Sequence, residues 1–479
     1  MKLKTLFADI AGPEADIEIT GITADSRAVK PGFLFAALQG VAADGRAFIP
    51  QAVASGAVAV VGHDLPEVGA AAAIEVAEPR LALAQAARLF HPGAPQTMVA
   101  ITGTNGKSST VDFLRQIWTA CGHKAASMGT LGAVGPMGTL DLGHTTPDPV
   151  AIHATLETLA EQGVTHCAME ASSHGLVQYR LDGVRLNAAA FTNLTQDHLD
   201  YHPTFDDYRA AKLRLVTELL PNGAPMIVNA DSDERSSFEA AAKKKSSSIL
   251  SVGWRGDNLK IMELMPRATG QTLFVSWEGQ EATVELPLIG EFQALNALTA
   301  AGLALALGED FRDVKMGMES LQPVKGRMEF VGRTHNGAGV FVDYAHTPDG
   351  LDTLLRAARP HTAGRLILIF GAGGDRDPFK RPLMGEVAAR HADQVIVTDD
   401  NPRSEVPERI RRAIIEAVPN ASEISDRREA IFEGVRRLKS GDTLLIAGKG
   451  HETGQIVAGK THPFSDQKTA TEAIAEVAR

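Results

Sequence analysis

The stretch Val99-Ala100-Ile101-Thr102-Gly103-Thr104-Asn105-Gly106-Lys107-Ser108-Ser109-Thr110 decides the fold. A short β-branched run ends in a glycine-rich turn, and Val111, Leu114, Ile117 and Trp118 then recur at helical spacing. The order is therefore strand, loop, helix. Such a loop turns backbone N–H groups toward a phosphate and backs them with the positive end of a helix. Gly103, Thr104, Asn105 and Gly106 form the cradle, and Ser108 and Ser109 open the helix. Lys107 reaches the terminal phosphates and the Ser108 hydroxyl meets Mg²⁺. The strict phosphate-loop pattern has a glycine where Ile101 stands, so this is a shortened variant.

Working outward, 479 residues exceed what one core supports, so several domains are expected. The composition, 44% hydrophobic and 22% charged, is that of a globular protein. A net charge of −11 argues against a general nucleic-acid or anionic-membrane binder, though a locally basic site can still take an anionic substrate. Cys121 and Cys167 lack CxxC partners, which leaves a disulfide framework and a zinc knuckle unsupported. Both are read as small core hydrophobes. The absence of a signal-type or spanning apolar run points to the cytoplasm and to no membrane insertion.

Three α/β domains are expected. Residues 1–93 form a small N-terminal α/β domain, with a strand over Phe33–Ala37 and a linker at His91-Pro92-Gly93-Ala94-Pro95. Residues 94–326 form a central ATPase-like domain around the phosphate loop. There strand-like runs (Val164–Glu170, Leu186–Phe191, Met226–Asn229) alternate with helical ones (Ala151–Gln162, Phe205–Leu220), the pattern of a mostly parallel sheet. A more β-rich stretch lies between Ser246 and Glu285, before the apolar helical run Ala294–Leu307. Residues 327–479 form a Rossmann-like C-terminal domain with strands at Gly339–Asp343, Leu366–Phe370, Gln394–Thr398 and Thr443–Ala447. Its Gly371-Ala372-Gly373-Gly374-Asp375-Arg376 run imitates a dinucleotide fingerprint, but Arg376 replaces the last glycine.

Two strand ends carry chemistry. Glu170 closes an apolar run, and a carboxylate at the carboxyl end of a parallel strand faces the ligand crevice. Burying it is costly unless it is paired or binds a cation; the competing reading is a helix-capping glutamate. The next strand ends in Phe191-Thr192-Asn193-Leu194-Thr195-Gln196-Asp197-His198-Leu199-Asp200-Tyr201-His202, dense in oxygen and nitrogen ligands. His198 is unusual there because Mg²⁺ prefers oxygen, and on composition alone it is a satisfied loop histidine.

These motifs resemble those of the Mur ligases: the phosphate loop, Met169-Glu170-Ala171-Ser172-Ser173-His174-Gly175-Leu176, and the stretch around His198. So do Lys325-Gly326-Arg327-Met328-Glu329, Asp343-Tyr344-Ala345-His346-Thr347-Pro348 and Gly448-Lys449-Gly450-His451-Glu452. The resemblance covers nearly the whole chain. It implies ATP-dependent amide formation through an acyl phosphate, with ATP as cosubstrate and Mg²⁺ as cofactor. UDP-N-acetylmuramoyl-L-alanyl-D-glutamate and meso-diaminopimelate are the implied partners, and a monomer is expected.

The resemblance also implies residue roles. One metal lies near Ser108 and Glu170, the second near His198 and a carbamylated Lys212. On the residues alone, Lys212 is an ordinary exposed helix lysine. Asn296 meets the base, Arg327 and Asp343 the ribose and phosphates, and His346 lines the same cleft. Ser26, Thr145, Thr146, Ser172, Gln178 and Arg180 hold the nucleotide-sugar peptide. Asp400, Asn401, Pro402 and Arg403 read the incoming amino acid, with Arg376, Gly448 and Glu452. A guanidinium at 403 suits a substrate with a second carboxylate. Ala24, Val41-Ala42-Ala43 and His144 depart from the family pattern. Two other readings compete: a folylpolyglutamate synthetase, against which the N-terminal unit and Asp400-Asn401-Pro402-Arg403 speak, and a nucleotide-gated scaffold, which leaves Glu170, His198 and Lys212 without a role.

Overall fold

A computed structural model describes residues 1–40, 43–195 and 201–477; His198, Val41 and Ala42 lie outside them. The chain divides into two compact units, Met1–Asp257 with Thr299–Val314, and Asn258–Leu298 with Lys315 to the C-terminus.

The first unit opens with a four-stranded parallel sheet, Gly21–Thr23, Phe33–Ala36, Ala57–Gly62 and Ala72–Glu75, paired in chain order. Its second sheet is built around the strand Thr97–Thr102, whose parallel neighbours are Ala188–Phe191 and His166–Glu170. Met226–Asn229 and Ile249–Gly253 extend one side; Ala125–Gly129 extends the other before two short antiparallel strands. The chain leaves Thr97–Thr102 toward one side and returns on the other, so the loop after it lies where the connections diverge. Open α/β sheets bind ligands at that point. Such strands are covered on both faces, which is why they read as apolar runs: Val99, Ala100, Ile101 and the whole of Ala188–Phe191 are fully buried.

The helix Lys107–Ala120 buries Val111, Leu114, Ile117 and Trp118 as their spacing requires. It also buries Asp112, whose carboxylate accepts from Arg115 Nε (2.7 Å) and Gln116 Nε2 (2.8 Å). The helical run from Phe205 is α-helical only to Arg214 and finishes in a π-turn, Leu215–Leu219. A capping box starts it: Thr204 Oγ1 accepts from Asp207 N, and Asp207 Oδ2 accepts from Thr204 N.

The second unit holds the β-rich stretch as an antiparallel meander, Leu259–Arg267, Gly270–Trp277 and Gln280–Leu286. Its main sheet has the order Glu329–Arg333, Gly339–Asp343, Thr443–Ala447, Leu366–Phe370, Gln394–Val397, Ser422–Glu423, parallel except at the first pair. A fully buried ion pair braces it. Arg427 Nε and Nη2 each donate to one Asp466 oxygen at 2.7 Å, and Nη2 also donates to Ala447 O at 3.0 Å. Removing one partner strands a buried charge, so Asp466→Asn is expected to cost about 3 kcal/mol, read as a lowered urea midpoint. Among the described residues no helix is long and apolar enough to cross a membrane.

Candidate active site

In the first unit the phosphate loop is tied on every side. Gly103 has φ +152°, and a Cβ there would meet Thr192 Oγ1 at 1.9 Å, so only glycine fits. Thr104 N donates to Asn193 O (2.8 Å), Asn105 N to Asn193 Oδ1 (2.9 Å), and Thr192 Oγ1 to Asn105 O (2.6 Å). Thr104 Oγ1 lies 3.1 Å from Tyr208 OH. Gly106, at φ +84°, turns the chain into the helix, whose first-turn amides and dipole favour an anion at the loop.

Two lysines converge on this loop. Lys107 Nζ donates to Gly103 O (2.9 Å) and Thr104 O (2.7 Å), and Lys212 Nζ donates to the same Gly103 carbonyl (2.7 Å). Lys212 is 1% exposed, with its ammonium 4.6 Å from the Tyr208 ring centroid. That is a buried cation at the loop, where helical periodicity alone suggests a solvated lysine. Close by, Ser108 Oγ donates to Glu170 Oε1 at 2.8 Å, and Thr130 N donates to the same oxygen at 2.8 Å. Glu170 is 2% exposed, and Gly129 makes room for it: a Cβ there would sit 2.0 Å from Glu170 Oε1.

The nucleotide-sugar candidates extend from Glu170. Thr145 Oγ1 lies 3.0 Å from Thr130 Oγ1, and Thr130 Oγ1 donates to Glu170 Oε2 at 3.4 Å. Thr146 Oγ1 donates to Glu170 O (3.1 Å) and accepts from Ser172 N (3.2 Å). Ser172 Oγ caps the helix Ser173–Val177 through Gly175 N. Arg180 donates to Thr146 O (2.6 Å) and Gln178 Oε1 (2.8 Å), and Gln178 donates to Tyr201 OH (3.1 Å). Burial, then the nearby Arg80 charge, lower the Arg180 pKa, which favours an anionic partner for it. Ser26 bonds within the N-terminal sheet region, to Gln51 Oε1 at 3.3 Å.

The second unit gathers the remaining candidates. Asn296 Nδ2 donates to Gln293 Oε1 (3.2 Å), and Gln293 Nε2 to Arg327 O (3.1 Å). The Arg327 guanidinium lies 4.8 Å from the Tyr344 ring centroid. Asp343 accepts from Met328 N (2.6 Å) and Ala345 N (2.7 Å), and His346 Nδ1 donates to Tyr344 O (2.8 Å). Desolvation pushes the Asp343 pKa up, against the pull of Arg327.

Asp400 and Asn401 are buried. Asn401 Nδ2 donates to Glu452 Oε2 at 2.8 Å, while Lys449 Nζ donates to Asn401 Oδ1 (2.8 Å) and Glu452 Oε2 (3.3 Å). Lys449 is fully buried and was given no role on sequence; the Gly448–Glu452 motif that contains it was the available signal. Asp400 Oδ2 has no hydrogen-bond partner among the described residues and would lie 2.5 Å from a Cβ on Gly448 (φ +119°). Arg403 is held at φ +53°, its Nη1 donating to Gly374 O at 2.8 Å. A Cβ on Gly373 would stand 2.8 Å from Arg403 Nη1 and 3.8 Å from Arg376 Cγ, so that glycine sits between the two arginines.

Family models match along the chain: "Mur ligase family, catalytic domain" at residues 18–101, "Mur ligase middle domain" at 101–304, and "Mur ligase, glutamate ligase domain" at 326–450. A relative from Bradyrhizobium diazoefficiens, named UDP-N-acetylmuramoyl-L-alanyl-D-glutamate–2,6-diaminopimelate ligase, is 51% identical over 99% of each chain. One from Caulobacter vibrioides with the same name is 52% identical over 96% of each. A solved structure of an enzyme so named is 32% identical, covers 99% of both chains and has a TM-score of 0.76. A folylpolyglutamate synthase from Mycobacterium tuberculosis, solved with ADP and AMPPCP, shares the fold at 18% identity and a TM-score of 0.63, over 83% of this chain and 95% of its own.

Proposed function

The chain belongs to the Mur ligase family, and from that premise we propose that it uses ATP to join meso-2,6-diaminopimelate to UDP-N-acetylmuramoyl-L-alanyl-D-glutamate. The observation that carries the reading is the match along 99% of the chain to a relative named for that ligation. In the proposed reaction a glutamyl carboxylate oxygen attacks the γ-phosphorus and ADP leaves. An amine of the diamino acid then attacks the acyl carbon, and phosphate departs with the carboxylate oxygen as the amide forms.

The first unit supplies what the phosphoryl step needs. Lys107 and the helix N-terminus meet the triphosphate charge where it accumulates. Ser108 and Glu170 are hard oxygen donors 2.8 Å apart, a pair suited to Mg²⁺, which takes one or two carboxylates together with substrate phosphates. Bound there, the ion would neutralise phosphate charge. Lys212 as its carbamate would add an anionic oxygen ligand and keep an N–H for Gly103 O. His198 is included in this metal set by its motif.

For the nucleotide we assign Asn296, Arg327, Asp343 and His346; for the UDP-sugar peptide Ser26, Thr145, Thr146, Ser172, Gln178 and Arg180. The domain limits 1–93, 94–326 and 327–479 are part of the same proposal. The chain is read as a cytoplasmic monomer that binds neither nucleic acid nor membrane.

Diaminopimelate differs from lysine by a second carboxylate. Arg403, with Arg376 beside it, is the proposed partner of that group. Asp400 Oδ2, buried and unpaired among the described residues, suits an ammonium, as does the Glu452 carboxylate. Losing one charge-assisted contact costs about 1.5–3 kcal/mol, so Arg403→Ala should raise KM for diaminopimelate about 10- to 100-fold while kcat changes little. Steady-state kinetics with the amino acid varied reads this, and an unchanged KM removes Arg403 from the pocket. The function is tested by supplying ATP, Mg²⁺ and the UDP-muramyl dipeptide with either diaminopimelate or lysine. A tripeptide product with diaminopimelate is expected; preference for lysine overturns the assignment.

A further inference from the structure

The helix that carries Lys107 at its start ends at Ala120, and the chain turns there through Cys121 and Gly122 into His123. The strand His166–Glu170 runs between the same two ends, with Glu170 beside Ser108 and His166 at the far end. The fourteen-residue helix spans about 20 Å and the five-residue strand about 13 Å. At the far end the His123 and His166 rings lie 4.0 Å apart, and His123 Nε2 is 2.7 Å from Glu309 Oε1. One ligand atom from each of His123, His166 and Glu309 lies within 4.8 Å of the other two. We propose that His123, His166 and Glu309 form a site for a divalent transition-metal ion of the zinc class, separate from the ATP site, with the fourth position left to solvent.

The donor set selects the ion. Two imidazoles and a carboxylate are a zinc donor set, whereas Mg²⁺ takes oxygen and keeps much of its water. Bonds of 2.0–2.3 Å in a tetrahedron place donor atoms roughly 3.3–3.8 Å apart. The 2.7 Å contact between His123 and Glu309 and the 4.8 Å limit on the other separations bracket that range. The ion takes the place of the hydrogen shared by His123 and Glu309, and that proton goes to solvent. Thr165 Oγ1, 2.8 Å from His166 Nδ1, orients that ring from behind. His123 and Glu309 retain 32% and 17% side-chain exposure, which gives an ion a way in. An ion there pins the far ends of the helix and strand that carry Lys107, Ser108 and Glu170. This is not a CxxC site: the ligands come from three separate stretches, so spacing within the sequence does not reveal it.

The test uses the full chain, stripped of metal by chelation, saturated with Mg²⁺ and titrated with Co²⁺. Wild type should bind one equivalent with the intense ligand-field bands of four-coordinate cobalt. His123→Gln and His166→Gln should each weaken binding about 100-fold or more. Glu170→Gln should leave the affinity unchanged. Circular dichroism of the metal-free variants checks folding, and Glu309→Gln replaces either histidine variant that fails it. A weak six-coordinate spectrum in wild type overturns the site. So does an affinity untouched by the ligand variants, or lost equally in Glu170→Gln.

Discussion

Replacing Lys212 by alanine is expected to lower kcat for ligation by about 10³-fold or more, with the fold retained. Lys212 Nζ is buried against Gly103 O, the carbonyl that also receives Lys107. Carbamylation converts the ammonium at this position into an anion with hard oxygen donors. On that account the alanine variant lacks a metal ligand, and short carboxylic acids such as acetate should restore part of the rate in a saturable way. A structural lysine would show no such rescue, because acetate cannot replace an ammonium that donates to a carbonyl. Wild-type turnover in Lys212→Ala would remove the proposed role.

Lys107→Ala should cost about 10²- to 10³-fold in kcat/KM for ATP. In the structure its ammonium is parked on the Gly103 and Thr104 carbonyls, 2.9 and 2.7 Å away. Triphosphate oxygens are the stronger acceptors, since charge-assisted bonds to an anion exceed those to a carbonyl. Lys107→Arg should rescue poorly: the planar, wider guanidinium does not fit a contact shaped for a compact ammonium. Pre-steady-state measurement of ADP formation, with the dipeptide substrate present, separates this loss from any change in the amino-acid step. An unaltered rate in Lys107→Ala would contradict phosphate contact.

Much of the fold was legible in the sequence where apolar runs coincide with fully buried parallel strands. Met226–Asn229, Gly339–Asp343, Leu366–Phe370 and Thr443–Ala447 have the limits their composition suggests. Helix ends were less legible. The run from Phe205 keeps helical periodicity through Leu220, yet the backbone loosens into a π-turn after Arg214, where hydrophobic spacing carries no information about hydrogen-bond register. Cys167 is a core hydrophobe as read, but Cys121 is only half-buried, because it follows the helix end.

The candidate site divides in the same way. The phosphate loop announces itself through glycines whose conformations no other residue takes easily, as Gly103 and Gly106 show. Lys212 and Lys449 meet partners far away in sequence, Gly103 for one and Asn401 for the other, so the family motifs mark them but periodicity does not distinguish them from solvated lysines. The Arg427–Asp466 pair is equally silent: each charge reads as surface until the partner is in place. Thr130, which links Thr145 to Glu170, has no motif to mark it.

The most direct measurement follows one oxygen atom. With ¹⁸O in the glutamyl carboxylate of the UDP-muramyl dipeptide, ATP, Mg²⁺ and diaminopimelate, one labelled oxygen per turnover should appear in the released phosphate, because that oxygen becomes the bridge of the acyl phosphate. Phosphate free of label, released at the rate of tripeptide formation, would contradict activation of the carboxylate by ATP.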